Sequence, residues 1–140
     1  INIKSGYLTF NNNELIGGEF VVDMTSIVCT DLSGKGKSGL ENHLKSKDFF
    51  DVDRFPTASL TILSVKKKAL DQYRVSANIS IKDVTQKLTF NTEVKENAAN
   101  ASLVIDRTEF GIIYKSGNFF EELADKAIYD EFELSIDLNF

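Results

Sequence analysis

The chain is 140 residues long, 42% hydrophobic and 26% charged, which is enough for one well-cored domain and too short for two. Its net charge of −5 lacks the clustered positive field that a nucleic-acid partner requires. One Cys and one His exclude an internal disulfide and any zinc or copper cluster built from soft ligands.

No run approaches the ~20 apolar residues of a membrane span, and no signal peptide is present. Residue 1 falls inside an apparent strand, so the chain reads as trimmed at its start. Apolar side chains stand at Ile1, Ile3, Leu8 and Phe10, and the parity changes at Ser5-Gly6. That odd-numbered shift predicts a bulge or a bend. Asn11-Asn12-Asn13 is a turn signal, because Asn tolerates positive φ. Residues 17–30 then read as one long strand that forms a hairpin with the first, with Phe20, Val22 and Met24 on one face.

Residues 33–39, SGKGKSG, read as a flexible loop. No strand enters it with the spacing of a phosphate-cradling loop, and no βαβ unit follows. Residues 40–56, LENHLKSKDFFDVDRFP, are the only long segment without period-2 alternation. Leu40, Leu44, Phe49 and Phe50 predict a short helix or pair of turns with an apolar underside. Asp48 or Asp51 starts or stops a turn, and Pro56 closes the segment by fixing φ before the next strand. A plug of this kind caps a hydrophobic core or lids a cavity.

Strand patterns resume at residues 57–65, with Ala58, Leu60 and Ile62 inward. Lys66, Lys67 and Lys68 form a basic run that suits a solvated strand end. After a turn at residues 69–72, Tyr73, Val75, Ala77, Ile79 and Ile81 give the cleanest alternation in the chain. A turn at residues 83–85 leads to Leu88, Phe90, Thr92 and Val94. A further turn at residues 96–100 leads to Ala101, Leu103 and Ile105. Residues 108–127 are irregular, with one helical turn expected at residues 121–126. The last strand is read over residues 128–140, with Phe132, Leu134, Ile136, Leu138 and Phe140 on one face. Short spacing, turn signals and one apolar face per strand indicate an antiparallel sandwich or barrel. Strands this long favour a barrel, whose closure removes unpaired edges.

The run Thr30-Asp31, His43-Leu44, Asp48-Phe49-Phe50-Asp51 and Phe55-Pro56 resembles the YceI-like family of lipid-binding β-barrels. Residues 105–111, IDRTEFG, and residues 79–85 resemble two further motifs of that family, and the likeness extends over residues 17–138. The chain departs from the family at residues 33–39, inserted between Asp31 and His43, and at Asp83, where the family has Gly. The resemblance implies an all-β, antiparallel up-and-down, lipocalin-like eight-stranded barrel over residues 1–140, a single domain with a short helical plug around residues 40–50. Since the residues give seven strands, it implies that the opening strand lies upstream of Ile1. It also implies binding, storage or transport of a polyisoprenoid or isoprenoid quinone, a periplasmic or secreted location, and members that can pair as dimers.

An eight-stranded barrel is filled by side chains or holds one small ligand. Ala58, Ala77, Ala101 and Thr92 at inward positions either leave room along the axis or fit the taper. By resemblance, ligand contact is expected at Phe20, Val22, Phe49, Phe50, Leu60, Ile79, Phe90, Leu103 and Phe110. His43 either bonds a lipid head group or a backbone carbonyl. Arg107 either pairs with Asp106 at the strand end or anchors a polar head. The carboxylate pairs Asp106/Glu109 and Glu121/Glu122 read as solvated, and Ser26 and Ser116 have no histidine other than His43, so no enzyme, metal or cofactor is expected. The competing reading is a structural or protein-interaction β-domain with a filled core, which an exposed apolar patch near Phe119-Phe120 would favour.

Overall fold

The computed structural model describes residues 1–140 apart from 121, 122, 124 and 125. Seven strands form one antiparallel, up-and-down, curled sheet in the order β1-β2-β3-β4-β5-β6-β7. They are β1 (Asn2–Asn11), β2 (Glu14–Asp23), β3 (Thr57–Ala69), β4 (Gln72–Ile81), β5 (Val84–Val94), β6 (Ala98–Asp106) and β7 (Glu131–Asn139). One helix, α1 (Gly34–Lys45), lies between β2 and β3. The eighth strand that the resemblance implies is not among the described residues.

The expected bulge in β1 is present as a register shift between Ile3 and Ser5. Past it, Gly6 lies directly across from Phe20. A Cβ at Gly6 would overlap the Phe20 ring, so only glycine lets that ring come this close to β1. The hairpin turns rest on residues with left-handed backbone, namely Asn12 and Asn13, Asp71, and Lys82 and Asp83. The third of these corrects the turn expected at residues 83–85. The inward alternation of β4 holds throughout, from Tyr73 to Ile81. Polar side chains pair across the outer face, for example Ser80 with Thr85 at 2.6 Å and Ser102 with Glu133 at 2.8 Å.

Several expected boundaries move. Strand β3 continues from residue 65 through the lysine run to Ala69, because it stays paired with β4, and β6 begins at Ala98, inside the turn expected at residues 96–100. The strand read over residues 17–30 ends at Asp23, whose carboxylate accepts from Thr25 N (3.0 Å) and Thr25 Oγ1 (2.6 Å) and opens a 3₁₀ turn at Met24–Ser26. These hydrogen bonds also hold the Asp23 carboxyl below its ordinary pKa. The loop expected at residues 33–39 is the first half of α1; Lys37 N reaches Ser33 O, and each further residue then adds one backbone bond. The last strand begins at Glu131, not at residue 128. The helical turn expected at residues 121–126 falls largely outside the described residues.

Strands β5 and β6 pair only over Thr92–Val94 and Ala99–Ala101. Beyond that they part, and the 3₁₀ turn Arg107–Phe110 comes back against β5, where Gln86 Nε2 donates to Glu109 O at 2.9 Å. Phe110 and Ile112 are buried in the cluster that also holds Leu103, Ile105, Ile79, Ile81 and Phe49. Strands β1 and β7 run parallel to each other and are not hydrogen-bonded together among the described residues. At the end of the sheet that carries the β1–β2 turn, their last aromatic residues meet, with the Phe10 and Phe140 ring centroids 6.0 Å apart.

Candidate functional site

The concave face of the sheet and the segment after α1 line a partly open cavity of about 840 Å³. This lies within the ~300–1,000 Å³ common for small-molecule sites. Its wall runs from Leu15, Val94 and Ala99 at one end of the strands to Phe49, Ile105 and Arg107 at the other. A ten-residue strand such as β4 spans about 33 Å at roughly 3.3 Å per residue, so the cavity is elongated along the strands. Alternation places the aromatic rings of Phe20, Phe90 and Phe132 on this inner face. The small residues Ala58, Thr92 and Ala101 also lie on the wall. Ala77 is fully buried but is not on the wall, so there the small side chain serves packing.

The plug is held by backbone geometry. Ser46 O accepts from Phe49 N (3.1 Å) and Asp51 N (2.8 Å), while Phe50 N donates to Leu44 O (3.0 Å). Asp51 adopts a left-handed backbone (φ 46°) and its carbonyl accepts from Arg54 N and Phe55 N. Pro56 O then accepts from Met24 N at 2.9 Å, tying the plug's exit to the end of β2. This arrangement turns Leu44, Phe49 and Phe50 onto the cavity wall. Phe50 meets Phe132 edge to face, with centroids 6.3 Å apart, so the plug docks on β7.

Of the residues expected to contact a ligand, Phe20, Val22, Phe49, Phe50, Leu60, Ile79, Phe90 and Arg107 line the cavity. Leu103, Phe110 and His43 do not. Leu103 and Phe110 share the inward side but belong to the packed layer that fills the divergence of β5 and β6. His43 bonds neither a backbone carbonyl nor the cavity. Its Nε2 lies 2.9 Å from Asp48 Oδ2, and its ring stands edge-on to Phe49 and Tyr114 (centroids 5.0 and 4.7 Å).

Arg107 does not pair with Asp106, whose carboxylate is bonded to Thr108 N (2.9 Å) and Thr108 Oγ1 (2.6 Å). Instead the guanidinium, 4% exposed, donates to three carbonyls: Nε to Tyr129 O (2.9 Å), Nη1 to Ile112 O (3.0 Å) and Nη2 to Ile128 O (3.1 Å). The Asp130 carboxylate stands 3.9 Å from Nη2, and the Phe49 ring lies 5.5 Å from the guanidinium carbon. Arg107 is therefore the one buried charge on a mostly apolar wall, among the described residues. Sequence reasoning missed Tyr114 and Asp130, the partners of His43 and Arg107. Tyr114 lies in the irregular segment, where no periodicity marks an inward side, and Asp130 in the stretch read as the start of the last strand, where the structure has a bend before β7.

The serine hydroxyls are committed: Ser116 Oγ donates to Asp130 and Ser26 Oγ to Asp23 O. Among the described residues, no cluster of His, Cys, Asp or Glu is arranged to hold a metal ion. No described helix is long and apolar enough to cross a membrane.

A family model described as a YceI-like domain matches residues 1–140. UPF0312 proteins of Photorhabdus laumondii and Yersinia enterocolitica are 33% and 37% identical over 54 residues, 39% of this chain and 28% of each relative's length. A Campylobacter jejuni YceI protein superposes with a TM-score of 0.76 at 16% identity, covering 99% of this chain and 82% of that one. Burkholderia cenocepacia BcnA gives a TM-score of 0.76 at 18% identity over 96% and 81% of the two chains. At these identities the likeness lies in the fold.

Proposed function

We propose that this chain, which belongs to the YceI-like domain family, binds a long apolar lipid of the polyisoprenoid or isoprenoid-quinone type and performs no chemistry on it. The supporting observation is the cavity itself, about 840 Å³ and walled by Phe, Leu, Ile, Val and Ala side chains along the strands. A filled core would leave no such volume. At roughly 0.8 kcal/mol per buried CH₂, ten methylenes supply about 8 kcal/mol, near micromolar affinity. An elongated cavity favours an extended tail over a compact metabolite.

In this reading Phe20, Val22, Phe49, Phe50, Leu60, Ile79 and Phe90 contact the tail. Arg107 has two N–H groups beyond the three that its carbonyl partners use, and it faces the polar end. Storage or carriage, a periplasmic or secreted location and pairing as a dimer belong to the same proposal. So does closure of the sheet, since a strand laid between β1 and β7 would run antiparallel to both edges. The test is Phe50→Trp titrated with a long-chain quinone. The indole emission is expected to be quenched saturably at micromolar quinone, and emission that stays unchanged would count against a cavity site.

A further inference from the structure

The two ends of the cavity are built differently. At the end that carries the β1–β2 turn, Leu15, Val75, Val94 and Ala99 belong to one buried cluster. Leu8 of β1, Ile62 of β3 and Leu138 of β7 pack against it, so all seven strands contribute. Strands β2 and β6, which carry Leu15 and Ala99, are not neighbours in the sheet. Their meeting in one cluster means that facing walls touch across the axis. Leu15, Val75, Val94 and Ala99 are also on the cavity wall, and none is more than 6% exposed. Together they form an apolar floor.

The plug end is different in kind. Its cluster includes no residue of β1 or β2, and the wall there carries the buried Arg107. The polar end of a lipid therefore stays at the plug, where the guanidinium can meet it. The tail runs along the strands, and its last carbons come to rest on the floor. The Phe10 and Phe140 rings meet across the gap between β1 and β7 at the floor end, which covers the floor on that side too.

A tail gains affinity for every methylene that leaves water. Carbons that cannot pass the floor stay outside and contribute nothing, because a packed cluster admits an inserted group only at a cost. We propose that Leu15 and Ala99 set the longest tail that the cavity holds. Leu15 occupies depth that a smaller side chain would release, and Ala99 leaves depth that a larger one would remove. This selection by length rests on the function proposed above and assigns it to two named side chains.

The test is a titration of Phe50→Trp, Phe50→Trp/Leu15→Ala and Phe50→Trp/Ala99→Leu with prenyl quinones that share one head group and differ only in isoprene count. In the parent, each added unit is expected to tighten binding at least about tenfold up to a limiting length, and further units to add nothing. Leu15→Ala is expected to move that limit about one unit longer, and Ala99→Leu about one unit shorter. Tails well below the limit never reach the floor and should bind as in the parent. Melting curves identify a variant that has not folded, and the limit is then read from the other. A limit that stays in place in the folded variants overturns the inference, and so does affinity that rises through the whole series. Weakening of every tail length alike assigns both side chains to packing alone and overturns it as well. Quinones that bind without a movable limit remove this inference alone, whereas no binding at any length removes the cavity reading with it.

Discussion

Among the described residues, Arg107 stands out because its guanidinium joins three carbonyls from two separate segments. A lysine has the charge but only one nitrogen, which cannot serve acceptors at the three corners of a planar fork. Arg107→Lys is therefore expected to lose about 3 kcal/mol, since hydrogen bonds to charged groups contribute roughly 1.5–3 kcal/mol each. The loss should appear as a lower denaturant midpoint with an unchanged slope; an unchanged midpoint would contradict the role. The carbonyl partners were not legible in the sequence, because Ile112, Ile128 and Tyr129 take part through their backbones and backbone acceptors leave no mark on side-chain identity. A different signal was legible and went unread. Asp23-Met24-Thr25 and Asp106-Arg107-Thr108 are two copies of one device, in which the aspartate ends a strand and accepts from the threonine N–H and hydroxyl.

Among the elements, β4 was the most readable because it pairs on both sides, with β3 and β5, and buries one full face. Helix α1 was half missed because it buries no residue at all, so its first turns carry no apolar stripe. Leu103 and Phe110, expected at the ligand by resemblance, share the inward side but not the cavity wall, since the inward side of a strand says nothing of distance from the cavity. Nothing in the period-2 pattern shows that β5 and β6 diverge and that a 3₁₀ turn fills the space. The small residues of the wall distinguish an empty interior from a filled one. In a packed core, Ala101→Phe would cost roughly 1–3 kcal/mol through overpacking. Here the ring enters free volume, so the melting temperature is expected to hold or rise while long-chain quinone uptake falls at least tenfold, by about 1.4 kcal/mol. Calorimetry and a quinone titration check the two halves, and a destabilised variant would indicate that the cavity is closed in solution.

At the scale of the whole molecule, one curled sheet and one plug set a long apolar space inside a chain of net charge −5. Fold class and strand count were legible because each strand repeats the same one-sided pattern. The cavity was not, because side-chain volumes along a strand do not reveal how far apart opposite walls stand. Its content is the most direct test of the account. Protein purified without detergent should be extracted with organic solvent and the extract read by mass spectrometry. A stoichiometric isoprenoid or isoprenoid quinone is the expected result, and it would fix the chain length at once. An empty extract from a protein that also refuses a long-chain quinone offered in solution would contradict lipid binding and turn attention to a protein partner.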